Sequence, residues 1–217
     1  MYRYFKRFCD IIISLFGIIV LSPLMIIIAA AIKLESKGPV LFKQTRLGEN
    51  AKEFQIYKFR SMCVGAEQMG TGQYSFANDM RVTKVGKFIR ATSIDELPQL
   101  INVLKGEMSL VGFRPPLTYH PWPIEEYTAE QLRMFEVKPG ITGWAQVNGR
   151  KHTEWHERIR LNVFYVDNMS LLLDIKILFL TVGNVFVNKD NENVAITVQG
   201  TAADINADVN SVEKETV

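Results

Sequence analysis

The most restrictive feature of this 217-residue sequence is an uncharged apolar run near its N-terminus. The run extends from Ile11 to Ile32, and its 22 residues are enough to span roughly 30 Å of hydrocarbon as a helix. It is too long for the apolar region of a cleaved signal peptide, and no small-residue cleavage site leads into a polar chain. The run therefore predicts a segment that stays in the membrane.

Two features bear on whether this segment crosses the membrane or returns to the side it entered. Ser22-Pro23 lies at its middle, where proline removes a backbone donor and should break or kink the helix, while the Ser22 hydroxyl can bind the freed carbonyl. Basic residues flank both ends of the run, and such flanks favour the cytoplasmic side. The sequence thus favours a re-entrant helix broken at Ser22-Pro23, with a simple transmembrane span as the alternative.

The net charge of +2 conceals a gradient along the chain. Residues 1–60 contain ten basic and four acidic side chains, whereas residues 188–217 contain two basic and six acidic ones. A basic front beside an apolar segment predicts attraction to anionic membrane lipids, at about 1 kcal/mol per basic side chain. The two cysteines, Cys9 and Cys63, form no disulfide or metal-site pattern, which suits a reducing, cytoplasmic setting.

The remaining sequence predicts a mainly α-helical protein with a small β element. Residues 40–42 and 54–59 have the composition of short strands, and apolar residues at helical spacing from Leu97 to Leu104 predict a helix that ends at Gly106. Further helices are predicted after a capping box at Thr128, from Trp155 to about Tyr165, and over Ser170–Val187 as an interfacial or buried helix. We divide the chain into a re-entrant membrane helix (1–35), a cytoplasmic domain (36–187) that contains the candidate catalytic residues described next, and an acidic, disordered tail (188–217).

The segment with the most chemical potential contains Asp95 and Glu96, and two readings of it are open. Ser93 followed three residues later by Glu96 forms a capping box, so the acidic pair can serve as a helix cap in a non-enzymatic membrane-surface protein. Basic residues in turn-like settings around the pair favour phosphate chemistry instead. They are Lys58, Arg60, Arg81, Arg90 and Arg114.

A carboxylate among cations is expected to have a lowered pKa and to stay ionised at neutral pH. Such a group can attack phosphorus and form an acyl phosphate. An adjacent carboxylate can hold Mg²⁺, which shields a pyrophosphate and allows an anion to attack it. Asp95 and Glu96 are therefore candidates both for catalysis and for binding Mg²⁺.

Several longer stretches carry a resemblance to a known family. They include Tyr57-Lys-Phe-Arg-Ser-Met, the run from Ser93-Ile-Asp-Glu-Leu-Pro-Gln-Leu to Ser109-Leu-Val-Gly, and Lys138-Pro-Gly-Ile-Thr-Gly-Trp-Ala-Gln-Val-Asn-Gly. From about Lys6 to Val187 the sequence resembles the bacterial sugar transferases, the monotopic polyprenyl-phosphate phosphoglycosyl transferases. Two departures are Phe113, where the family usually has proline, and Asn162, where it often has aspartate.

The resemblance implies a specific reaction on the cytoplasmic face of the bacterial inner membrane. A sugar 1-phosphate passes from a UDP-sugar to undecaprenyl or another polyprenyl phosphate, UMP is released, and Mg²⁺ is required. Asp95 would be the nucleophile and Glu96 its partner, with Lys58, Arg90 and Arg114 facing phosphates. The resemblance also implies a re-entrant helix and interfacial amphipathic helices.

The expected product is the first membrane-bound intermediate of a surface glycan. The expected partners are the donor, the acceptor and membrane lipids, without nucleic acid, and a homodimer is allowed for. Direct transfer without a covalent intermediate is an alternative mechanism. The sequence does not identify the sugar.

Overall fold

A computed structural model describes residues 2–69, 79–149 and 154–187. Seven α-helices are found in these ranges: α1 (Tyr2–Glu35), α2 (Lys84–Ala91), α3 (Gln99–Lys105), α4 (Ala129–Leu132), α5 (Trp144–Asn148), α6 (Trp155–Asn168) and α7 (Leu171–Val187). Four short strands accompany them: β1 (Leu41–Leu47), β2 (Glu53–Phe59), β3 (Ser109–Val111) and β4 (Gly140–Thr142). The predicted fold class, mainly helical with a small β element, is confirmed. The predicted tail at 188–217 lies outside the described residues.

The strands form two separate two-stranded sheets. β1 and β2 pair antiparallel, so that Phe42 lies opposite Lys58, and β3 and β4 pair parallel. The first sheet connects the end of α1 to the segment preceding α2, and it presents Lys58 from β2. α3 ends as predicted at Gly106, which adopts a left-handed conformation (φ 85°) that costs glycine little.

Helix α1 is continuous through Ser22-Pro23, which corrects the predicted break in helical conformation. Proline at position 23 cannot donate to the carbonyl of Ile19, and the Ser22 hydroxyl donates to that carbonyl instead, at 2.8 Å. This is the repair expected in a medium without water. One lost backbone bond, replaced locally, is compatible with an uninterrupted helix.

Helix α1 is long and apolar enough to cross a membrane, and most of its surface is exposed. Only 11% of its most apolar window is buried, which excludes an ordinary core helix. The few buried side chains lie on one side and include Asp10, Ser14, Ile28 and Ile32. The rest of the helix surface consists largely of exposed isoleucine, leucine and phenylalanine side chains, and exposing so large an apolar surface to water is unfavourable.

Both ends of α1 are attached to the same folded domain. Near its start, Lys6 pairs with Asp174 of α7 at 2.6 Å, and Arg7 donates to the carbonyls of Val103 and Leu104 in α3. At its end, Ile28 and Ile32 pack with Phe59 and Ile89 in a small core. The domain therefore lies along one side of the helix.

The largest core lies beyond α3, around β3 and the C-terminal helices. It contains Val111, Phe113, Phe135, Val163 and Ile177, together with further buried side chains of the same region. The capping box predicted at Thr128 is present, with reciprocal bonds between Thr128 and Gln131. Helices α6 and α7 confirm the two helices predicted for the C-terminal region.

Candidate active site

Asp95 and Glu96 lie in a single 3₁₀ turn, residues Ile94–Glu96, between α2 and α3. The predicted capping box is absent: Ser93 has a positive φ of 57°, and its side chain makes no capping hydrogen bond. In this left-handed conformation the Ser93 side chain does not face the amides it would have to cap. The structure thus gives Asp95 and Glu96 no capping partner among the described residues, which removes the main support for the non-enzymatic reading.

Glu96 is held by two cations. Its Oε1 atom accepts from Lys58 Nζ at 2.7 Å and from Arg114 Nη2 at 3.1 Å. Burial raises the pKa of the Glu96 carboxyl, but the charges of Lys58 and Arg114 outweigh it and hold that pKa well below its usual range. Glu96 is therefore a fixed negative charge at neutral pH, as the sequence predicted.

Asp95 has a different environment from its neighbour. Its half-buried carboxylate accepts no hydrogen bond from the described residues. Burial raises the pKa of Asp95, the nearby Glu96 charge adds to this, and the charges of Lys58, Arg90 and Arg114 do not overcome it. The expectation of a lowered pKa thus holds for Glu96 but is wrong for Asp95, because burial outweighs cations that attract the carboxylate without hydrogen-bonding to it.

Of the five predicted phosphate ligands, the structure brings three together around the acidic pair. Lys58 reaches it from β2, Arg114 from the loop after β3, and Arg90 from the last turn of α2. Arg90 Nε donates to Ser61 Oγ at 2.9 Å. Burial lowers the pKa of Arg90, and the negative charge of Asp95 partly offsets this effect.

Arg60 and Arg81 have other partners, so their contacts do not support the predicted role in phosphate binding. The buried guanidinium of Arg60 donates to the carbonyls of Ile32, Ser36 and Lys37 and caps the end of α1. Arg81 forms a two-pronged ion pair with Asp79. Both guanidinium groups donate to buried oxygen atoms, which would destabilise the fold if they were left without a hydrogen bond.

Two further arginines, Arg46 and Arg158, are close enough to Arg114 for its charge to act on them, and neither was predicted as a site residue. Arg46 Nη1 donates to the carbonyl of Pro115, the residue after Arg114, at 3.3 Å. Burial lowers the pKa of both guanidinium groups, and the charge of Arg114 lowers it further. The pKa of Arg46 falls to about 10. Arg46 comes from β1 and Arg158 from α6. Arg46 lies in Gln44-Thr-Arg-Leu-Gly, a further stretch that carries the family resemblance and that could have indicated it. Arg158 comes near Arg114 only through the packing of α6.

Aromatic side chains lie next to this arginine group. The guanidinium of Arg158 is 5.2 Å from the ring centroid of Trp155, and the edge of that ring meets His120 at 5.1 Å. The departure at Phe113 does not enter the site: its ring is buried in the core against Phe135 at 5.3 Å. Asn162 is likewise buried within α6.

The site lies against the C-terminal part of α1. Ile94 and Leu97, on either side of the acidic pair, pack on the small core formed by Ile28, Ile32, Phe59 and Ile89. Positive side chains outnumber the two carboxylates, and repulsion among them would be relieved by a bound polyanion. The arrangement can therefore bind a phosphorylated ligand at the edge of an apolar surface.

Mg²⁺ can be accommodated by the acidic pair only with help from a ligand. The described residues contain no group of three or more His, Cys, Asp or Glu side chains suited to a metal ion. Mg²⁺ is commonly held by one or two carboxylates together with substrate phosphates. Asp95 and the second oxygen of Glu96, which accepts no hydrogen bond within the described chain, fit that mode.

Comparison with known proteins connects this site to a family. EpsL of Bacillus subtilis, a sugar transferase of uncharacterized activity, is 46% identical over 184 residues, which cover 85% of this chain and 88% of EpsL. The UDP-glucose:undecaprenyl-phosphate glucose-1-phosphate transferase of Escherichia coli is 46% identical over 86% of this chain. The UDP-N-acetylgalactosamine-undecaprenyl-phosphate N-acetylgalactosaminephosphotransferase of Aeromonas hydrophila is 45% identical over 84% of it.

The chain covers 41% of the E. coli protein and 44% of the A. hydrophila protein, so it spans less than half the length of these two relatives. The matched part contains the acidic pair and its cations. Residues 1–188 match the family described as bacterial sugar transferase. The chain belongs to the bacterial sugar transferase family.

Proposed function

We propose that this protein transfers a sugar 1-phosphate from a UDP-sugar to undecaprenyl or another polyprenyl phosphate and releases UMP. The observation that carries the proposal is the contrast within the acidic pair: Glu96 is bound by Lys58 and Arg114, while Asp95 has no hydrogen-bond partner in the described chain. A carboxylate without such bonds keeps its lone pairs available for attack on phosphorus. The names of the relatives support the donor and acceptor classes.

In the proposed reaction Asp95 acts twice at one phosphorus atom. A carboxylate oxygen of Asp95 attacks the phosphorus that carries the sugar, and the bond from that phosphorus to the bridging oxygen breaks, so UMP leaves with the electron pair. An oxygen of the lipid phosphate then attacks the same phosphorus and displaces Asp95. The carboxylate is regenerated, and the sugar is left on a lipid diphosphate.

The surrounding cations have defined parts in this proposal. Lys58 and Arg114 hold Glu96 ionised and in place, and they leave donors for phosphate oxygens. Arg46 and Arg158 extend the positive region beyond Arg114, where the leaving phosphate would gather charge. Mg²⁺, held by Asp95 and Glu96 together with donor phosphates, would neutralise charge on the pyrophosphate.

We further propose that the enzyme is attached to the cytoplasmic face of the inner membrane without crossing it. A 34-residue helix is roughly 50 Å long, and both its ends contact the same domain. If α1 crossed the bilayer, a single folded domain would have to contact it on both sides. Entry and exit by one face avoids this, and the exposed apolar residues of α7 add a second membrane-contacting surface.

Release of UMP tests the function. Purified full-length protein is incubated with UDP-glucose, UDP-galactose or UDP-N-acetylgalactosamine, with and without undecaprenyl phosphate and Mg²⁺. We expect multiple-turnover UMP release with at least one donor, dependent on the lipid, and its loss in Asp95→Asn. Asp167→Asn, an exposed aspartate away from the site, is the matched control and should stay active. Full activity of Asp95→Asn would overturn the assignment.

A further inference from the structure

A cleft outside the acidic site lies at the start of α1. Arg3, Lys6, Arg7 and Asp10 line one side of it. Their spacing of three and four residues places them on one helix face. Lys138 lies opposite, and the cleft also has apolar walls that include Val111, Val137 and Met169. We call this the N-terminal cleft.

Positive charge and hydrogen-bond donors are in excess in the N-terminal cleft. Asp10 is occupied by Ser109 Oγ and the amide of Leu110, and Glu49 is occupied by Lys138. Lys138 also donates to the carbonyl of Gly106, so its ammonium keeps one of three donors. Arg3 is exposed and has no hydrogen bond or ion pair within the part of the chain that the structure describes.

The cleft lies where two membrane-facing surfaces meet. Tyr2 and Lys6 of α1 both bind Asp174, which fixes the first turn of α1 beside the first turn of α7. Tyr4 is 86% exposed and Leu172 is 80% exposed, so each helix presents apolar or aromatic surface next to the cleft. Aromatic residues with such exposure are typical of the headgroup level of a bilayer.

The N-terminal cleft is separate from the acidic pair. Arg7 and Lys138 bind carbonyls at the C-terminal end of α3, whereas Asp95 precedes its N-terminal end. The seven residues of α3 alone separate the two places by about 10 Å. A phosphate in this cleft is therefore not positioned to react with Asp95.

We infer that the N-terminal cleft binds the phosphate of an anionic membrane phospholipid, with its acyl chains along the exposed apolar faces of α1 and α7. Arg3 and the remaining donors of Lys6 and Lys138 supply charge-assisted hydrogen bonds to a phosphodiester monoanion. Basic pockets beside membrane helices are a known setting for such headgroups. The inference requires membrane contact but does not depend on the transferase reaction.

The test measures which lipids stay bound to the full-length protein. The chain is placed in nanodiscs with equal amounts of phosphatidylcholine and phosphatidylglycerol, transferred to neutral detergent, and analysed by native mass spectrometry. We expect one retained phosphatidylglycerol per chain. Arg3→Gln should lower its occupancy about fivefold, the factor expected for one interfacial cation.

Lys37→Gln is the matched control, because Lys37 is an exposed cation at the other end of α1. Its phosphatidylglycerol occupancy should remain close to wild type. An equal loss in both variants would indicate diffuse surface attraction and overturn the site, as would equal retention of the two lipids. Arg3 has no partner among the residues that the structure describes, so Arg3→Gln should keep the wild-type melting temperature and the UMP-release activity in neutral detergent.

Two competition experiments identify the source of the phosphate. Glycerol 3-phosphate should not displace the bound lipid, since it lacks acyl chains, and displacement would show a site for soluble phosphate instead. Undecaprenyl phosphate should not displace phosphatidylglycerol one for one. If it did, the cleft would be an acceptor site and the phospholipid assignment would be overturned.

Discussion

At the scale of single residues, the two adjacent carboxylates of the acidic pair have different environments. Glu96 is paired and its pKa is lowered, while Asp95 is unbonded within the described chain and its pKa is raised mainly by burial. Environments that push two pKa values apart are typical of sites where each group has its own task. Here the structure supports Asp95 as the reacting group and Glu96 as the fixed one.

Asp95→Asn is expected to raise the melting temperature at neutral pH while it removes activity. The pKa of Asp95 is raised in the folded protein, so its contribution to stability is most favourable in acid and becomes a penalty once the carboxyl ionises. An uncharged amide avoids that penalty. The measurement is a pair of thermal scans in one detergent with EDTA present, at neutral pH.

Asp167→Asn serves as the control in these scans, because an exposed ion pair contributes little to stability. A melting temperature of Asp95→Asn that equals or falls below wild type would contradict a raised pKa of Asp95 in the folded protein. Replacement of a catalytic group often increases stability while it removes activity, because active-site residues are held in environments that suit the reaction and not the folded state.

Glu96→Gln is expected to have the opposite effect and to destabilise the protein by about 1–3 kcal/mol at neutral pH. Lys58 and Arg114 lose the negative charge that they share, and their charged acceptor becomes a neutral amide oxygen. The folded-state pKa of Glu96 is lowered, so its stabilisation is present above the ordinary value of 4.5 and is lost as the pH falls below it. Denaturant unfolding at pH 7 and about pH 3.5 should therefore show a smaller acid-induced loss in the variant. Equal losses in both proteins would show that Lys58 and Arg114 do not lower the pKa of Glu96 in the folded protein.

At the scale of elements, α1 is organised by its two ends. Arg60 caps its C-terminal carbonyls, and Glu35 accepts from the amides of Lys84 and Val85 at the start of α2, the helix that carries Arg90. Burial raises the pKa of Glu35, but its hydrogen bonds to Thr83 and to these amides dominate and lower it. The C-terminal end of α1 is thus attached directly to elements that present the site's cations.

This attachment predicts that both ends of α1 face the same aqueous compartment. Tyr4 and Leu34 are 86% and 88% exposed and can be changed singly to cysteine in a background where Cys9 and Cys63 are serine. A membrane-impermeant maleimide should label both positions in inside-out vesicles and neither in intact spheroplasts. Labelling of the two positions from opposite sides would show that α1 spans the membrane.

At the scale of the whole molecule, the features predictable from the sequence were those determined locally. The hairpin strands, the end of α3 at Gly106 and the capping box at Thr128 depend on residues close together in the chain. The predicted break of α1 at Pro23 was wrong, because the Ser22 hydroxyl replaces the missing backbone hydrogen bond within the same turn.

The parts of the site that depend on packing could not be predicted from local patterns. An arginine has the same appearance in sequence whether its guanidinium caps carbonyls, as Arg60 does, or faces a ligand. Arg158 comes near Arg114 because the start of α6 packs on the loop that follows Arg114, where the ring of Trp155 contacts that of His120. The positive φ of Ser93, which abolishes the predicted cap, is likewise set by the chain on both sides of it.

The central claim is that Asp95 bonds covalently to the sugar phosphate. The most direct measurement is the intact mass of the protein after rapid quenching with its UDP-sugar in the absence of lipid acceptor. We predict a mass increase of one sugar phosphate, located on Asp95 by peptide mapping, absent from Asp95→Asn, and removed when undecaprenyl phosphate is added. Lipid-dependent UMP release with no adduct at any time of quenching would contradict the claim and indicate direct transfer in a ternary complex.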